Sequence, residues 1–254
     1  MKFDPAWILY EDNHLFVFAK PPGLLAQEDQ SGDDDVLTIV KEFIKERDHK
    51  PGQVFLGLVH RLDRNTGGVF CLAKTSKAAA RLSEQIRNRE WSKNYLAITL
   101  AETDAPLEDG SWRVWEDYLR KDEEFNRSRI GRGAGDGKAA RLRQRVLAAE
   151  PIQNHKLKLR EVDLESGRSH QIRVQSSSRG EPVLGDYKYA APPLPGVSSS
   201  FLGLWAWRLD ITHPVKGERM RFYSMPPESY PWSLFTFAIQ QARAQAEAET
   251  RPLA

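Results

Sequence analysis

Short apolar runs separated by polar turn residues fill the first part of this 254-residue chain. Two of them, residues 7–10 and 15–18, flank a polar tetrapeptide, and this pattern predicts a β-hairpin. Three aspartates at 33–35 then precede apolar residues at helical spacing from Val36 to Ile44. Because acidic residues stabilise the positive end of the helix dipole, the pattern predicts a helix that begins near Val36.

The pattern of elements continues with a capping signal and two strands. Thr75 or Ser76 can cap a second helix, since either hydroxyl can accept a bond from a free N–H of the first turn. Period-two alternation over residues 93–100 predicts a strand with Tyr95 on the face opposite to the aliphatic residues. Residues 112–120 predict another strand.

A charged, glycine-rich connection follows at residues 121–138. It departs from phosphate-binding loops, because Arg132 and Ala139 stand where a Walker loop needs glycine and a hydroxyl residue. Two interpretations stay open. The segment is either a mobile surface loop or a loop that contacts RNA phosphates through Arg127, Arg129 and Arg132.

Basic and apolar residues alternate in two later segments, residues 141–146 and 156–160. Each segment predicts a strand with one basic face, which in the first consists of Arg141, Arg143 and Arg145. A basic strand face occurs on solvated surfaces and also on surfaces that follow a nucleic-acid backbone. The residues alone favour neither.

Composition narrows the class of protein only a little. The formal net charge is +2, so a nucleic-acid surface would have to be a local concentration of lysine and arginine. Cys71, the single cysteine, cannot form an internal disulfide, which indicates a cytoplasmic protein. The six histidines lack metal-ligand spacing, so we expect no metal. Apolar segments fall short of the roughly 20 residues that span a bilayer, so we expect no membrane association.

The stretch with the clearest chemical potential is residues 58–70, where two apolar runs flank a polar centre. The pattern predicts two strands joined by a turn, with the Gly67-Gly68 pair allowing unusual backbone angles. Asp63 would lie at a strand end between Arg61 and Arg64, whose charges favour its ionised form. Two interpretations remain, a catalytic carboxylate and a surface turn in which Asp63 caps the backbone.

Three motifs in this order resemble the RluA-type pseudouridine synthases. They are His60-Arg61-Leu62-Asp63 with Thr66-Gly67, then Lys93-x-Tyr95-x-Ala97, and then Gly167-Arg168-x-His170-Gln171-Ile172-Arg173. The usual serine between Thr66 and Gly67 is missing here. Ile172 and Val174 alternate with Arg173, which predicts a strand for the third motif. The resemblance extends from residue 7 to about residue 235, although the sequence at 175–178 departs from the family pattern.

The resemblance implies the roles of three residues: Asp63 as nucleophile, Tyr95 facing it, and Arg173 in an ion pair with it. It also implies an α+β fold of mixed α/β content, with a largely antiparallel central sheet in two lobes, surrounding helices and a basic active-site cleft. Residues 1–235 would form the catalytic domain without a separate N-terminal RNA-binding domain. Residues 236–254 would form a helical or disordered tail.

The implied function is an RNA pseudouridine synthase that acts on a uridine of structured ribosomal or transfer RNA. It needs no cofactor, and we expect a cytoplasmic monomer. A uridine in folded RNA must be flipped out to reach the carboxylate, and Arg61 is the candidate to replace it in the stack. The RNA-binding candidates are Arg61, Arg64, Arg168, Arg141, Arg143 and Arg145.

Two other classes of function are compatible with parts of the sequence. A non-catalytic RNA-binding or RNA-folding protein could keep the fold, but it would not need Asp63, Tyr95 and Arg173 together. A hydrolase could use Asp63 as nucleophile, but no motif places a second acid-base carboxylate.

Overall fold

The computed structural model describes residues 1–28, 32–104 and 108–249. The chain forms two compact units. Unit 1 contains residues 1–94 and 205–225, and unit 2 contains residues 95–204 and the C-terminal part from Pro226 onward. The candidate nucleophile Asp63 therefore belongs to unit 1, whereas Tyr95 and Arg173 belong to unit 2.

Four α-helices and eleven strands are formed in the described ranges. The helices are α1 (Val36–Arg47), α2 (Ser76–Arg87), α3 (Gln171–Ser177) and α4 (Thr236–Ala248). The strands are β1 (Ile8–Glu11), β2 (Leu15–Lys20), β3 (Gly57–Leu58), β4 (Gly67–Ala73), β5 (Ser92–Glu102), β6 (Arg113–Asp122), β7 (Arg127–Ile130), β8 (Lys138–Ile152), β9 (His155–Leu164), β10 (Leu204–Thr212) and β11 (Arg219–Tyr223).

Unit 1 is built on the strand order β1-β2-β4-β10, with β3 beside β4 and β11 beside β10. All of these pairs are antiparallel except β4 with β10. One face of β2 packs with α2, through Leu15, Val17 and Leu82. On the opposite face, Phe16 and Phe18 contact Phe3. The ring of Phe3 also packs against Phe43 of α1. The sheet is thus covered on both faces, and this rigid layer supports the Asp63 segment.

Both helices of unit 1 begin where the sequence predicts. The Asp35 carboxylate accepts a hydrogen bond of 3.1 Å from the Thr38 N–H at the start of α1. Thr75 Oγ1 accepts one of 3.1 Å from the Ala78 N–H at the start of α2. Each side chain satisfies an N–H that has no partner within the helix, which confirms the predicted start of both helices.

Unit 2 carries the strand order β5-β9-β8-β6-β7. The pairs β9–β8, β8–β6 and β6–β7 are all antiparallel, which confirms the prediction of a largely antiparallel sheet. The predicted helix in the tail is also present as α4, whose buried residues are Ile239, Ala242 and Ala246. Residues 250–254 lie outside the described residues.

Two predicted elements differ from the structure. The sequence predicts a strand for the third motif, but Arg173 lies in the helix α3, which begins after His170 in a left-handed conformation. The sequence predicts a loop at 121–138, but this connection contains β7, which pairs with β6 in a hairpin. Three alternating residues are too few to separate a strand from a helix in the third motif, and a charged, glycine-rich composition does not separate a hairpin from an irregular loop.

Candidate active site

Asp63 lies in the connection between β3 and β4 of unit 1, and its side chain is partly exposed. The Thr66 N–H donates a hydrogen bond of 3.0 Å to the Asp63 carbonyl, which closes a turn directly after the carboxylate. The buried neighbour Leu62 holds the same segment against the core. Asp63 is therefore a reachable carboxylate on a fixed backbone, as a nucleophile requires.

His60 fixes the side of this turn that precedes Asp63. Its Nε2 accepts a hydrogen bond of 2.9 Å from the backbone N–H of Cys71, on β4. The ring stacks on Phe70, with 4.7 Å between centroids, and meets the edge of Trp91 at 5.3 Å. Burial, and next the charge of Lys93, lower the pKa of His60 to about 3. His60 is therefore a neutral acceptor that ties the segment to the sheet.

Lys20 fixes the other side of the turn. Its Nζ is buried and donates to the carbonyl oxygens of Pro21, Leu24 and Arg64, at 3.0, 2.8 and 3.0 Å. These three bonds use all the hydrogens of an ammonium group. Burial lowers the pKa of Lys20 and the charge of Asp63 raises it, with a result of about 7. Lys20 is thus a backbone anchor, and its protonated form is stabilised by the negative charge of Asp63.

A second pair of bonds joins the turn after β2, residues 20–23, to the same segment. The Gly23 N–H donates to the Arg64 carbonyl at 2.8 Å, and Arg64 Nε donates to the Gly23 carbonyl at 3.1 Å. Arg64 Nη1 also pairs with Asp33 at 2.7 Å. This reciprocal bonding leaves the backbone next to Asp63 with little freedom.

The glycine pair after the turn is required by a close approach of two strands. Gly67 faces the ring of Trp205, and a Cβ at this position would lie 2.3 Å from a ring atom. Gly68 has a φ of +119°, and a Cβ there would lie 2.1 Å from the carbonyl oxygen of Ala206. The sequence indicated the unusual backbone angle but not the parallel pairing of β4 with β10 that demands it.

Arg173 is held in unit 2 by a bidentate ion pair. Its Nε and Nη2 donate to the two carboxylate oxygens of Asp186 at 2.7 and 2.8 Å, and both residues are buried. The guanidinium carbon lies 5.2 Å from the centroid of the Tyr189 ring. This geometry fixes the plane of the guanidinium. The pair of Arg173 with Asp63 stays a prediction.

Tyr95 belongs to β5, in the part of that strand that lies in unit 2. It is 7% exposed, and the strand is buried on both faces along most of its length. A buried tyrosine within a strand supplies a rigid ring with one polar end. Its role opposite Asp63 stays a prediction.

The candidates for RNA binding divide into exposed and paired arginines. Arg61 is exposed, and no hydrogen bond or ion pair of its guanidinium occurs within the described ranges. Arg168 Nε donates to the Ala139 carbonyl at 3.0 Å. The three β8 arginines face acidic side chains on neighbouring strands: Arg141 pairs with Glu116 and Glu165, Arg143 with Asp163, and Arg145 with Glu161. Contact of these residues with RNA stays a prediction.

The basic face predicted for residues 156–160 is wrong. Lys158 and Arg160 are each 2% exposed, and both pair with Glu108 and Glu181. The apolar residues of this strand are buried as well, so β9 is covered on both faces. Alternation identified the strand, but it could not show that acidic residues from distant segments cover its polar face.

Sequence reasoning missed the roles of Lys20 and Asp186. Lys20 ends an apolar strand directly before a Pro-Pro-Gly turn, and a lysine in that setting signals a buried cation bound by turn carbonyls. Asp186 is a carboxylate in a glycine turn, and a buried bidentate partner for an arginine has no local sequence signal.

Within the described residues, no group of three or more His, Cys, Asp or Glu side chains is arranged to hold a metal ion. None of the helices described is long and apolar enough to cross a membrane. The expectations of no metal and no membrane association stay predictions.

Comparisons with known proteins agree on one family. The model of the RNA pseudouridylate synthase family matches residues 14–178. The chain is 35% identical over 220 residues to the dual-specificity RNA pseudouridine synthase RluA of Haemophilus influenzae, covering 85% of this chain and 90% of the relative. It is 33% identical over 237 residues to the ribosomal large subunit pseudouridine synthase D of Yersinia pestis, covering 88% and 68%.

A solved structure, human RNA pseudouridylate synthase domain containing 4, has a TM-score of 0.69 and 25% identity, covering 94% of this chain and 93% of that one. This similarity agrees with the α+β class and the antiparallel sheet. Since the family model covers more than half of the chain and the curated relatives exceed 30% identity, this chain belongs to the RNA pseudouridylate synthase family.

Proposed function

We propose that this pseudouridine synthase modifies a uridine of ribosomal RNA and that Asp63 is its nucleophile. The observation that carries the proposal is the turn at Asp63, a partly exposed carboxylate whose backbone is tied down by His60 on one side and by Lys20 on the other. The names of the relatives support RNA as the substrate, and ribosomal large subunit RNA in particular.

The reaction is an isomerisation without net loss of atoms. The bond between the uracil nitrogen and the ribose breaks, the base turns over, and a bond forms from carbon 5 to the ribose. The proton on carbon 5 leaves and the ring nitrogen gains one. The protein must supply an ionised nucleophile, a group that moves the proton, and a site that retains the detached base.

Asp63, Lys20 and Tyr95 can divide these tasks. Attack at the ribose carbon or at the pyrimidine ring requires the same ionised carboxylate. The buried ammonium of Lys20 attracts that negative charge, and the proposed pair with Arg173 would aim it. Tyr95 is the proposed group for stacking and proton transfer, because a buried ring with one hydroxyl can do both.

The proposed route to the carboxylate is base flipping, with Arg61 filling the space that the uridine leaves. Arg61 suits this step because its guanidinium is exposed and stands two residues from Asp63. Extrusion costs least where bases are already unpaired, so the target uridine would lie in a loop or bulge. A cytoplasmic location belongs to the same proposal and rests on the single, buried Cys71.

A non-catalytic RNA-binding protein is not favoured, because the matching family and the curated relatives are synthases by name. The purified chain should form pseudouridine in transcripts of large subunit ribosomal RNA, with transfer RNA transcripts measured in parallel. Pseudouridine in transfer RNA alone would overturn the ribosomal assignment. Its absence from both substrates would contradict the activity.

The Asp63→Asn variant tests the nucleophile. It keeps size and hydrogen bonding but removes the charge, so pseudouridine formation should be lost while RNA affinity stays within about tenfold, or ~1.4 kcal/mol. Single-turnover rates and binding constants on one transcript measure both. Turnover near the wild-type rate in this variant would exclude Asp63 as the nucleophile.

A further inference from the structure

An open groove of about 410 Å³ lies in unit 2 beside the β6–β7 hairpin. One wall is β7 with Arg127 and Arg129, and another is the end of α3 with Ser177 and Ser178. Lys188 and Tyr189 complete the lining. The groove therefore presents three cations, and cationic side chains are the groups that bind phosphate oxygens most strongly. The hydroxyls of Ser177 and Ser178 donate to the carbonyl oxygens of Tyr189 and Gln175, at 2.8 and 3.0 Å.

The groove cations outnumber the carboxylates that pair with them. Arg129 pairs with Asp122, and Arg127 Nε is 4.0 Å from an oxygen of the same carboxylate. Lys188 Nζ donates to the carbonyl of Asn126, a neutral partner, at 3.1 Å. One carboxylate thus pairs with two of the three cations, and the partner of the third, Lys188, carries no charge. The β8 arginines differ, since each pairs with at least one carboxylate on a neighbouring strand.

The groove is held in shape by contacts that do not depend on a ligand. The Ser128 N–H donates to the Tyr189 hydroxyl at 2.7 Å, which joins β7 to the segment after α3. The guanidinium of Arg127 lies over the exposed ring of Phe125, 5.2 Å from its centroid, and this contact limits its orientations. A preformed set of cations loses little freedom on binding an anion.

The groove also adjoins Arg173. Val174, the next residue of α3, lines the groove. Tyr189 lines it as well, and the guanidinium carbon of Arg173 lies 5.2 Å from the centroid of the Tyr189 ring. An anion bound here would lie close to the arginine that is proposed to aim the nucleophile. In an RNA substrate, the anions near the target base are the phosphates of its own strand.

We propose that this groove binds a backbone phosphate of the RNA strand that carries the target uridine, with Arg127, Arg129 and Lys188 as its cationic contacts. The proposal rests on the proposed function for the identity of the ligand. It assigns positioning of the RNA to the β6–β7 hairpin. Because phosphate contacts carry no sequence information, the groove would fix register and leave choice of the uridine to other residues.

The test compares Arg127→Gln and Lys188→Gln with Arg113→Gln, which removes one charge from an exposed arginine of unit 2 outside the groove. Binding of one ribosomal RNA transcript is measured over a range of salt concentrations. Each groove variant should flatten the log-log salt dependence by about 0.7 to 0.9 for each phosphate that the protein no longer neutralises. Arg113→Gln should keep the wild-type slope, and Arg127→Lys should restore most of it.

Kinetics provide a second readout that loss of folding would not mimic. With saturating RNA, the groove variants should keep kcat within about twofold while KM rises, since the phosphate is bound equally in the ground and transition states. Unchanged slopes, or equal flattening in Arg113→Gln, would overturn the groove assignment. Failure of the proposed function looks different, because the wild-type protein would then form no pseudouridine while its salt slopes could still be compared.

Discussion

The imidazole of His60 takes the place of a backbone acceptor for Cys71. β3 pairs with β4 only as far as Leu58 opposite Leu72, and the chain then leaves the sheet. The N–H of Cys71, the residue that precedes Leu72 on β4, donates to His60 Nε2 at 2.9 Å. The side chain thus satisfies a buried N–H while the backbone turns away to form the Asp63 segment.

This relationship predicts that His60 acts on catalysis by positioning Asp63. His60→Ala leaves the Cys71 N–H without its acceptor and frees the segment, so kcat should fall by about 100-fold, as expected for a displaced reacting group. KM should change little, because His60 is not a proposed RNA contact. Steady-state kinetics on one transcript provide the measurement.

His60→Gln is the control for that variant. A glutamine carbonyl oxygen can accept the Cys71 N–H, so this variant should recover a large part of kcat even if it is less stable. Equal loss in the two variants, or a loss confined to KM, would contradict the positioning role.

The lowered pKa of His60 predicts a pH dependence of stability. In the unfolded chain a histidine titrates near its ordinary value of about 6.5, whereas in the folded protein the pKa is about 3. Between these values the unfolded state binds the proton, so the free energy of unfolding falls as the pH falls below 6.5. At pH 5 the loss from this one group should be about 2 kcal/mol relative to pH 7.

Urea unfolding at pH 7 and pH 5 measures this change in the wild-type protein and in His60→Gln. The variant has no imidazole at position 60, so its stability should fall less between the two pH values. Identical pH dependence in wild type and His60→Gln would show that His60 titrates normally.

The sequence predicted elements where its signal was local. Capping by Asp35 and Thr75 and the first hairpin depend on neighbouring residues, and the structure confirms all three. The three motifs located Asp63, Tyr95 and Arg173 through resemblance. The sequence pattern could not predict partners from distant segments. The bond from Lys20 Nζ to the Arg64 carbonyl and the pair of Arg173 with Asp186 form only when the chain folds.

The buried charges of β9 predict a loss of stability rather than of RNA affinity when they are removed. Arg160 pairs with Glu108 at 2.7 Å and with Glu181, and it is almost inaccessible. Arg160→Gln leaves these carboxylates with one cation fewer in a buried site, which should lower the free energy of unfolding by about 3–5 kcal/mol. Urea denaturation measures the change.

The matched control is Arg143→Gln on β8, where the guanidinium is exposed and pairs with Asp163. A surface pair of this kind contributes about 0–1 kcal/mol, so this variant should be nearly as stable as the wild type. Equal stability losses in the two variants would mean that burial does not decide the energetics. A flatter salt dependence of RNA binding in a folded Arg160→Gln protein would show that Arg160 contacts RNA.

Tyr95 offers a test that separates stacking from proton transfer. Tyr95→Phe keeps the buried ring and removes the hydroxyl, so turnover should fall by ~100-fold or more if the hydroxyl moves a proton, while RNA affinity stays near wild type. Tyr95→Leu also removes the ring and should cost a further ~1–3 kcal/mol of RNA-binding free energy if that ring stacks on the flipped base.

Tyr118→Phe, at an exposed position on β6, is the control and should keep full activity. Single-turnover rates and binding constants distinguish the two contributions. A fully active Tyr95→Phe enzyme would make Tyr95 a packing residue and would assign proton transfer to Asp63 or to water.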